Sequence, residues 1–198
     1  MRDYLIDFFN LAYLSLQQPA ELPVFLGRMR RVTVHIMILL TLAALSVAVG
    51  TFHLRDFYNA SFIIFIPLMT GLHIVAALMW STLASALVDK FLAFRVPERA
   101  GKSWSSLAIL LLAFLPFIFY APAAVVAGYL DFTMLFMFLV HVLMMIWSIY
   151  TAVKGIQYLY EVHWKTALKA YGQALGIIAV FPGLVLLLFS LEIAQLLG

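Results

Sequence analysis

The sequence predicts an all-α polytopic membrane protein, a bundle of five transmembrane helices preceded by an N-terminal amphipathic helix lying in the membrane interface. Three observations predict it. The chain of 198 residues is 66% hydrophobic and 11% charged, with a mean hydropathy of +1.07. A soluble domain of this size has too little interior to hide that much apolar surface, so lipid must serve as its solvent. Five long apolar runs cover residues 32–51, 62–85, 107–127, 132–152 and 174–193. Each matches the ~20 helical residues needed to cross a hydrocarbon core of ~30 Å. The basic residues alternate between the segments that join these runs. Arg2, Arg28, Arg30 and Arg31 precede the first run, Arg55 alone follows it, and Lys90, Arg95, Arg99 and Lys102 follow the second. None follows the third, Lys154, Lys165 and Lys169 follow the fourth, and none lies in the tail. Because the cytoplasmic side retains positive charge, this alternation puts the N-terminus in the cytoplasm and the C-terminus outside. The expected location is a bacterial cytoplasmic (inner) membrane.

The elements follow in order, as a segment of residues 1–31 and a membrane domain of residues 32–198. In the first, Leu5, Phe8, Phe9, Ala12 and Leu16 recur at spacings of three and four, while Asp3, Asp7 and Asn10 fall on another face. That pattern predicts a short amphipathic helix, which either caps the bundle or docks a partner. Pro19 and Pro23 end it, and Arg28, Arg30 and Arg31 anchor the first span. Asp3 and Asp7, with no short apolar core before a small-residue cleavage site, argue for an uncleaved signal anchor. Pro67 lies in the second span, Pro116 and Pro122 divide the third, and Pro182 interrupts the fifth. Each removes a backbone donor, tolerable in lipid only where a neighbour re-satisfies the freed carbonyl.

Small residues at helical spacing mark close packing, either within the chain or between copies of it: Ala77, Ser81 and Ser85, then Ala124 and Gly128, then Gly172 and Gly176. Residues 88–106, with Pro97 and Gly101, read as a loop. Residues 154–173, with Tyr158, Tyr160, His163 and Trp164, read as a short interfacial helix joining the last two spans. Arg28, Arg30, Arg31, Lys154, Trp164 and Lys165 are the candidates for contact with anionic headgroups or a membrane partner. The pI near 9.2 therefore reflects a lipid surface, not nucleic acid.

Chemistry is sparse. Without cysteine there is no disulfide, thiol nucleophile or thiolate metal site. No Lys, Arg, Asp or Glu lies in the middle of a run, and Glu192 falls near the outer end of the fifth. Coupled transport commonly needs a buried carboxylate, so this weighs against a proton pump. No serine, threonine or tyrosine forms a nucleophilic set with histidine and a carboxylate, so an enzyme is not expected, nor is a cofactor. His73 and His141 stand out. They lie at matching depth on two runs of the same direction, ~14–17 Å from the outer surface at ~1.5 Å per residue. They either pack and hydrogen-bond a neighbouring carbonyl or hydroxyl, with Thr70 and Ser148 in reach, or ligate a haem iron or metal, or line a ligand or proton site. His35, one turn into the first run, is expected to snorkel toward the headgroups.

The stretch of residues 145–167 carries Trp147, Gly155, His163 and Lys165 followed by Ala167. In that layout it resembles the end of the Yip-one domain, a family of five-span, Rab-interacting-type membrane proteins, and Pro19 and Pro116 also fall where that family places prolines. The resemblance implies a five-span fold and a role in membrane organisation or traffic, with no catalytic residues. The long cytoplasmic arm of the eukaryotic relatives is reduced here to residues 1–31, so Rab binding is not implied, and the chain looks like the compact bacterial members. Three functions are thus expected, in order: a non-enzymatic protein organising membrane or partner proteins through its cytoplasmic face, a small transporter or channel with His73 and His141 lining its site, and a haem-binding membrane cytochrome.

Overall fold

In the computed structural model the backbone is described for residues 2–29, 32–54, 62–130 and 132–197, and the side chains for residues 4–29, 32–54, 62–130 and 132–180. Among the described residues the chain is helical and has no strand. The helices are α1 (Arg2–Gln17), α2 (Leu22–Arg28), α3 (Val32–Leu54), α4 (Phe62–Ala93), α5 (Ser103–Leu112), α6 (Tyr120–Ala127), α7 (Thr133–Leu159) and α8 (Trp164–Leu197). Short 3₁₀ turns at Pro97–Arg99 and Leu115–Phe119 interrupt the series. Among the described residues four segments are long and apolar enough to cross a membrane: α3, α4, the interrupted Ser103–Ala127, and α7. Arg30, Arg31 and Arg55 lie outside the described residues, as do the side chains of Pro182 and Glu192 in α8.

Consecutive segments run antiparallel, so their ends meet in two groups. At one end Leu54 packs with Ala124, Ala127 and Met137, and the Phe52 ring meets those of Phe62 and Phe65. At the other end, which carries the lysines, Asp89 of α4 ties three elements together. Its carboxylate accepts the N–H groups of Gly101 and Lys102 at 3.0 and 3.1 Å and the Tyr160 hydroxyl at 2.7 Å. Lys102 Nζ donates to the Leu159 carbonyl at 2.7 Å, answering the C-terminal dipole of α7. Burial first, then the hydrogen bond to Asp89 and its charge, push the Tyr160 hydroxyl well above the usual tyrosine range, so it remains a donor. Arg99 reaches the carbonyls of Tyr160 and Glu161 and pairs with the Glu161 carboxylate at 3.5 Å. Glu161 has φ +50°, a conformation costly for a residue with a Cβ, and these contacts hold it there.

Residues 108–113 of the third segment are all buried, so this part runs through the interior of the bundle, while Trp104, Phe119, Val125 and Val126 toward its ends stay exposed. One core cluster joins α4, α5, α7 and α8 around Ala84, Val88, Ile156 and Ala170. A second joins α1, α2, α3 and α5 around Leu11, Leu22, Leu39 and Ile109.

Several expectations need correcting. Residues 88–106 are only partly a loop, since α4 continues to Ala93 and α5 begins at Ser103. Residues 154–173 do not form a separate interfacial helix. The structure assigns their first part to α7 and their last part to α8, leaving only residues 160–163 to turn, because Tyr160 is buried against Asp89 and fixes the corner. The N-terminal amphipathic helix exists, but its buried stripe is rotated. Leu11, Leu14 and Ser15 are buried, whereas Leu5 and Phe9 are 51% and 66% exposed. Polar groups set that rotation. Trp147 Nε1 donates to the Leu16 carbonyl at 3.0 Å, Thr151 Oγ1 to Ser15 O at 3.3 Å, and His35 Nε2 lies 3.3 Å from Tyr4 O. His35 does not snorkel. It is 1% exposed, with its ring 4.1 Å from that of Tyr4, because α1 covers the point where it would emerge.

Gly155 marks the closest approach of α7 to α5. A Cβ there would sit 2.3 Å from Cγ2 of Ile109, a fully buried and β-branched side chain with little freedom to move. Gly155→Ala is expected to destabilise the protein by about 1–2 kcal/mol despite the better helix propensity of alanine. In a double-mutant cycle in detergent, Ile109→Ala should cost less in the Gly155→Ala background than alone.

Candidate functional site

A cavity of about 530 Å³ opens within the apolar part of the bundle, between the two core clusters and the end of the molecule remote from the lysines. Its walls are helical stripes. α3 contributes Leu40, Ala43, Ala44, Val47 and Thr51, α4 contributes His73, Ala76, Ala77 and Trp80, and α7 contributes His141, Met145, Ser148 and Ile149. Tyr171 and Leu175 come from the first half of α8. The room comes from four alanines, Ala43, Ala44, Ala76 and Ala77, facing one another from α3 and α4.

The remaining wall is the interruption of the third segment. Phe114, Phe117 and Tyr120 all line the cavity. In an α-helix, residues three apart fan out by about 60° per step, but in a 3₁₀ turn they eclipse. The turn at Leu115–Phe119 brings the three side chains to the cavity side of the segment, with the Phe114 and Phe117 rings 6.3 Å apart and tilted by 38°. Its cost lies in the backbone. Pro122 has no N–H for the Ile118 carbonyl, four residues earlier. Ser46 of α3 fills the gap: its hydroxyl donates to Ile118 O at 2.7 Å and accepts the Ala121 N–H at 2.9 Å. One side chain thus pairs with both a carbonyl and an amide at the break, as an apolar setting favours.

Both histidines singled out in the sequence line this one cavity. His73 Nδ1 lies 2.6 Å from Met69 O, so the carbonyl of its own helix, rather than Thr70, is its partner. Thr70 Oγ1 has no hydrogen bond among the described residues. His141 sets its ring edgewise to Phe117 at 5.7 Å and to Tyr120 at 6.3 Å, and makes no hydrogen bond among the described residues. His141, Met145 and Ile149 follow one another at four-residue spacing on α7 and all remain accessible. Among the described residues no three His, Cys, Asp or Glu side chains converge as a metal site.

Other sites named from the sequence lie elsewhere. Arg28 is exposed at the end of α2, and Lys154 Nζ donates to Gln157 Oε1 at 3.3 Å. Trp164 is 45% exposed with Lys165 Nζ 5.8 Å from its ring centre. Ala77, Ser81 and Ser85 are buried along α4. Gly172 and Gly176 are exposed, with nothing within 4 Å of where a Cβ would stand among the described residues, and the tight approaches there fall at Gly155, Gly50 and Gly128. Sequence reading missed Ser46 and the aromatic wall. The signal was aromatic residues at 114, 117 and 120 flanking Pro116 and Pro122, a three-residue period exactly where α-helical hydrogen bonding had to fail. No family model, curated protein or solved structure matches this chain.

Ser46→Ala should leave Ile118 O and the Ala121 N–H unpaired in an apolar interior. The expected loss is about 1–3 kcal/mol in detergent unfolding, with faster hydrogen exchange at the Ala121 amide. Unchanged exchange at Ala121 would show that the serine does not pin the break.

Proposed function

We propose that this chain is a non-enzymatic integral membrane protein that takes a small, largely apolar molecule from the bilayer into the cavity between α3, α4 and α7, as a carrier or transporter does. One observation carries the reading: the cavity, the helix break and both histidines coincide. Ligand sites of membrane carriers lie near the midplane at discontinuous helices, where irregular backbone is tolerated because it borders a cavity. The volume of about 530 Å³ and the mainly apolar lining with a few polar groups suit a small ligand. In this reading α8, with 34 residues, makes a fifth crossing, and the lysine-bearing end lies in the cytoplasm. The Yip-one assignment rests on the motif in residues 145–167 and is compatible with such a role.

The test is to extract bound lipophiles from protein purified out of native membranes and identify them by mass spectrometry. Wild type is expected to retain a compound near one per chain that Ala44→Phe and Ala76→Phe, which fill the cavity, retain at a tenth of that level or less. Equal retention in all three proteins would refute the reading.

A second reading, membrane organisation through the cytoplasmic face, is favoured by the exposed rings at the lysine-bearing end. Phe94 and Trp104 are 78% and 66% exposed beside Lys90, Arg95 and Lys102. Aromatic and basic side chains together suit anionic headgroups, at about 1 kcal/mol per basic residue. Deleting residues 1–20 would not test this, since it strips the fully buried Leu11 and Ser15 from the core. Charge reversal at Arg28, Lys154 and Lys165 should instead lower the phosphatidylglycerol retained in native mass spectrometry. Unaltered retention counts against this second role.

A further inference from the structure

We infer that the cavity selects a flat ring bearing hydroxyl donors, the hydroquinone (quinol) class of bilayer-dissolved molecule. This rests on the cavity being a binding site and adds the chemistry of its occupant. His73 supplies the first reason. A carbonyl can only accept, so the 2.6 Å contact to Met69 O requires the proton to sit on Nδ1. With the proton on Nδ1, the lone pair of the Nδ1–H tautomer is on Nε2, the ring nitrogen that Met69 O does not engage. A histidine locked this way accepts hydrogen bonds from what it faces. A ligand hydroxyl satisfies it, whereas a ligand carbonyl at the same place sets two acceptors against each other.

The walls supply the second reason. Phe114, Phe117 and Tyr120 from the interrupted segment, with Trp80 from α4, line the cavity with aromatic rings. Aromatic surfaces of this kind gain from offset or edge contact with another planar ring, a preference that a flexible acyl chain does not share. His141 supplies the third. It brings a second imidazole from a different helix, without a hydrogen bond among the described residues, to the same space. A ring with a hydroxyl at each end carries one polar group for each imidazole. The aliphatic remainder, including Leu40, Val47 and Leu175, suits the start of an alkyl tail.

Decylubiquinol and decylubiquinone provide the test, since they differ in whether the two ring oxygens are hydroxyls or carbonyls. Equilibrium binding of each is measured under anaerobic conditions to the full chain in lipid nanodiscs. Wild type is expected to bind the quinol about tenfold more tightly, the effect of one buried acceptor left unpaired by the quinone. His73→Phe should abolish the preference while still binding the ring, and His73→Gln, which keeps an acceptor oxygen, should retain part of it. Equal affinity for the two forms in wild type overturns the inference, and so does a preference unchanged in His73→Phe. If both forms bind equally and both are lost in Ala44→Phe, the hydroxyl selection falls while the cavity reading stands. If neither form binds, the quinol assignment falls, and the co-purified lipophile decides the cavity reading independently. A purified protein with a Soret band that disappears in His73→Phe and His141→Phe overturns the inference in favour of haem.

Discussion

The hydroxyl of Ser46 is the contact on which the candidate site depends. The central segment leaves α-helical geometry at Leu115–Phe119, around Pro116 and just before Pro122, and in an apolar interior no water is at hand to absorb the groups that the break releases. Ser46 donates to Ile118 O and accepts from the Ala121 N–H, so the interruption can persist as a defined 3₁₀ turn rather than collapse into several conformations. The turn in turn decides where Phe114, Phe117 and Tyr120 point. A single polar side chain on α3 thus sets the shape of a wall on another helix.

Polar groups elsewhere follow the same economy. Hydroxyls at Thr41, Thr82 and Ser15 return to carbonyls of their own helices, four residues back, at 2.7 Å. Those that reach across elements are few and sit where elements must be held in one register. Trp147 and Thr151 fix α1 against α7, Ser46 fixes the break, and Asp89 fixes the corner between α4, α5 and α7. Apolar contact alone is a weak guide to register among helices surrounded by lipid, because a chain of leucines packs about as well against acyl tails as against another helix. Directional hydrogen bonds and tight glycine contacts, such as Gly155 on Ile109 and Gly50 on Tyr120, supply what apolar contact leaves undetermined.

The cavity and the lysine-bearing end are mechanically distinct. Near the lysines, Asp89, Tyr160, Lys102 and Arg99 bind helix ends to one another, and the interior there is filled by Ala84, Val88, Ile156 and Ala170. Farther along, the alanines that α3 and α4 contribute to the cavity leave space that no described side chain fills. α1 and α2 lie against the filled part, burying Leu11, Leu14, Leu22 and Leu26 in the same cluster as Ile109. The amphipathic N-terminal segment is therefore part of the packed bundle while still presenting Leu5, Phe9 and Val24 outward.

By itself the sequence determined the helical class and the four apolar helices long enough to cross a membrane, because both follow from one-dimensional quantities, run length and hydropathy. It also singled out His73 and His141, since polar rings in apolar runs are visible without coordinates. It could not show that they share a cavity, because that depends on how α4 and α7 rotate about their axes, and an all-apolar helix carries no moment to report its rotation. The same blindness misplaced the buried stripe of α1, whose apolar residues outnumber the positions a single contact can bury, and left His35 on the surface when α1 covers it. The corner at residues 160–163 and the aromatic wall at 114, 117 and 120 were decided by partners distant in the chain, Asp89 and Ser46. Hydrogen bonds between remote residues carry no periodicity along the sequence, so only the tertiary structure could disclose them.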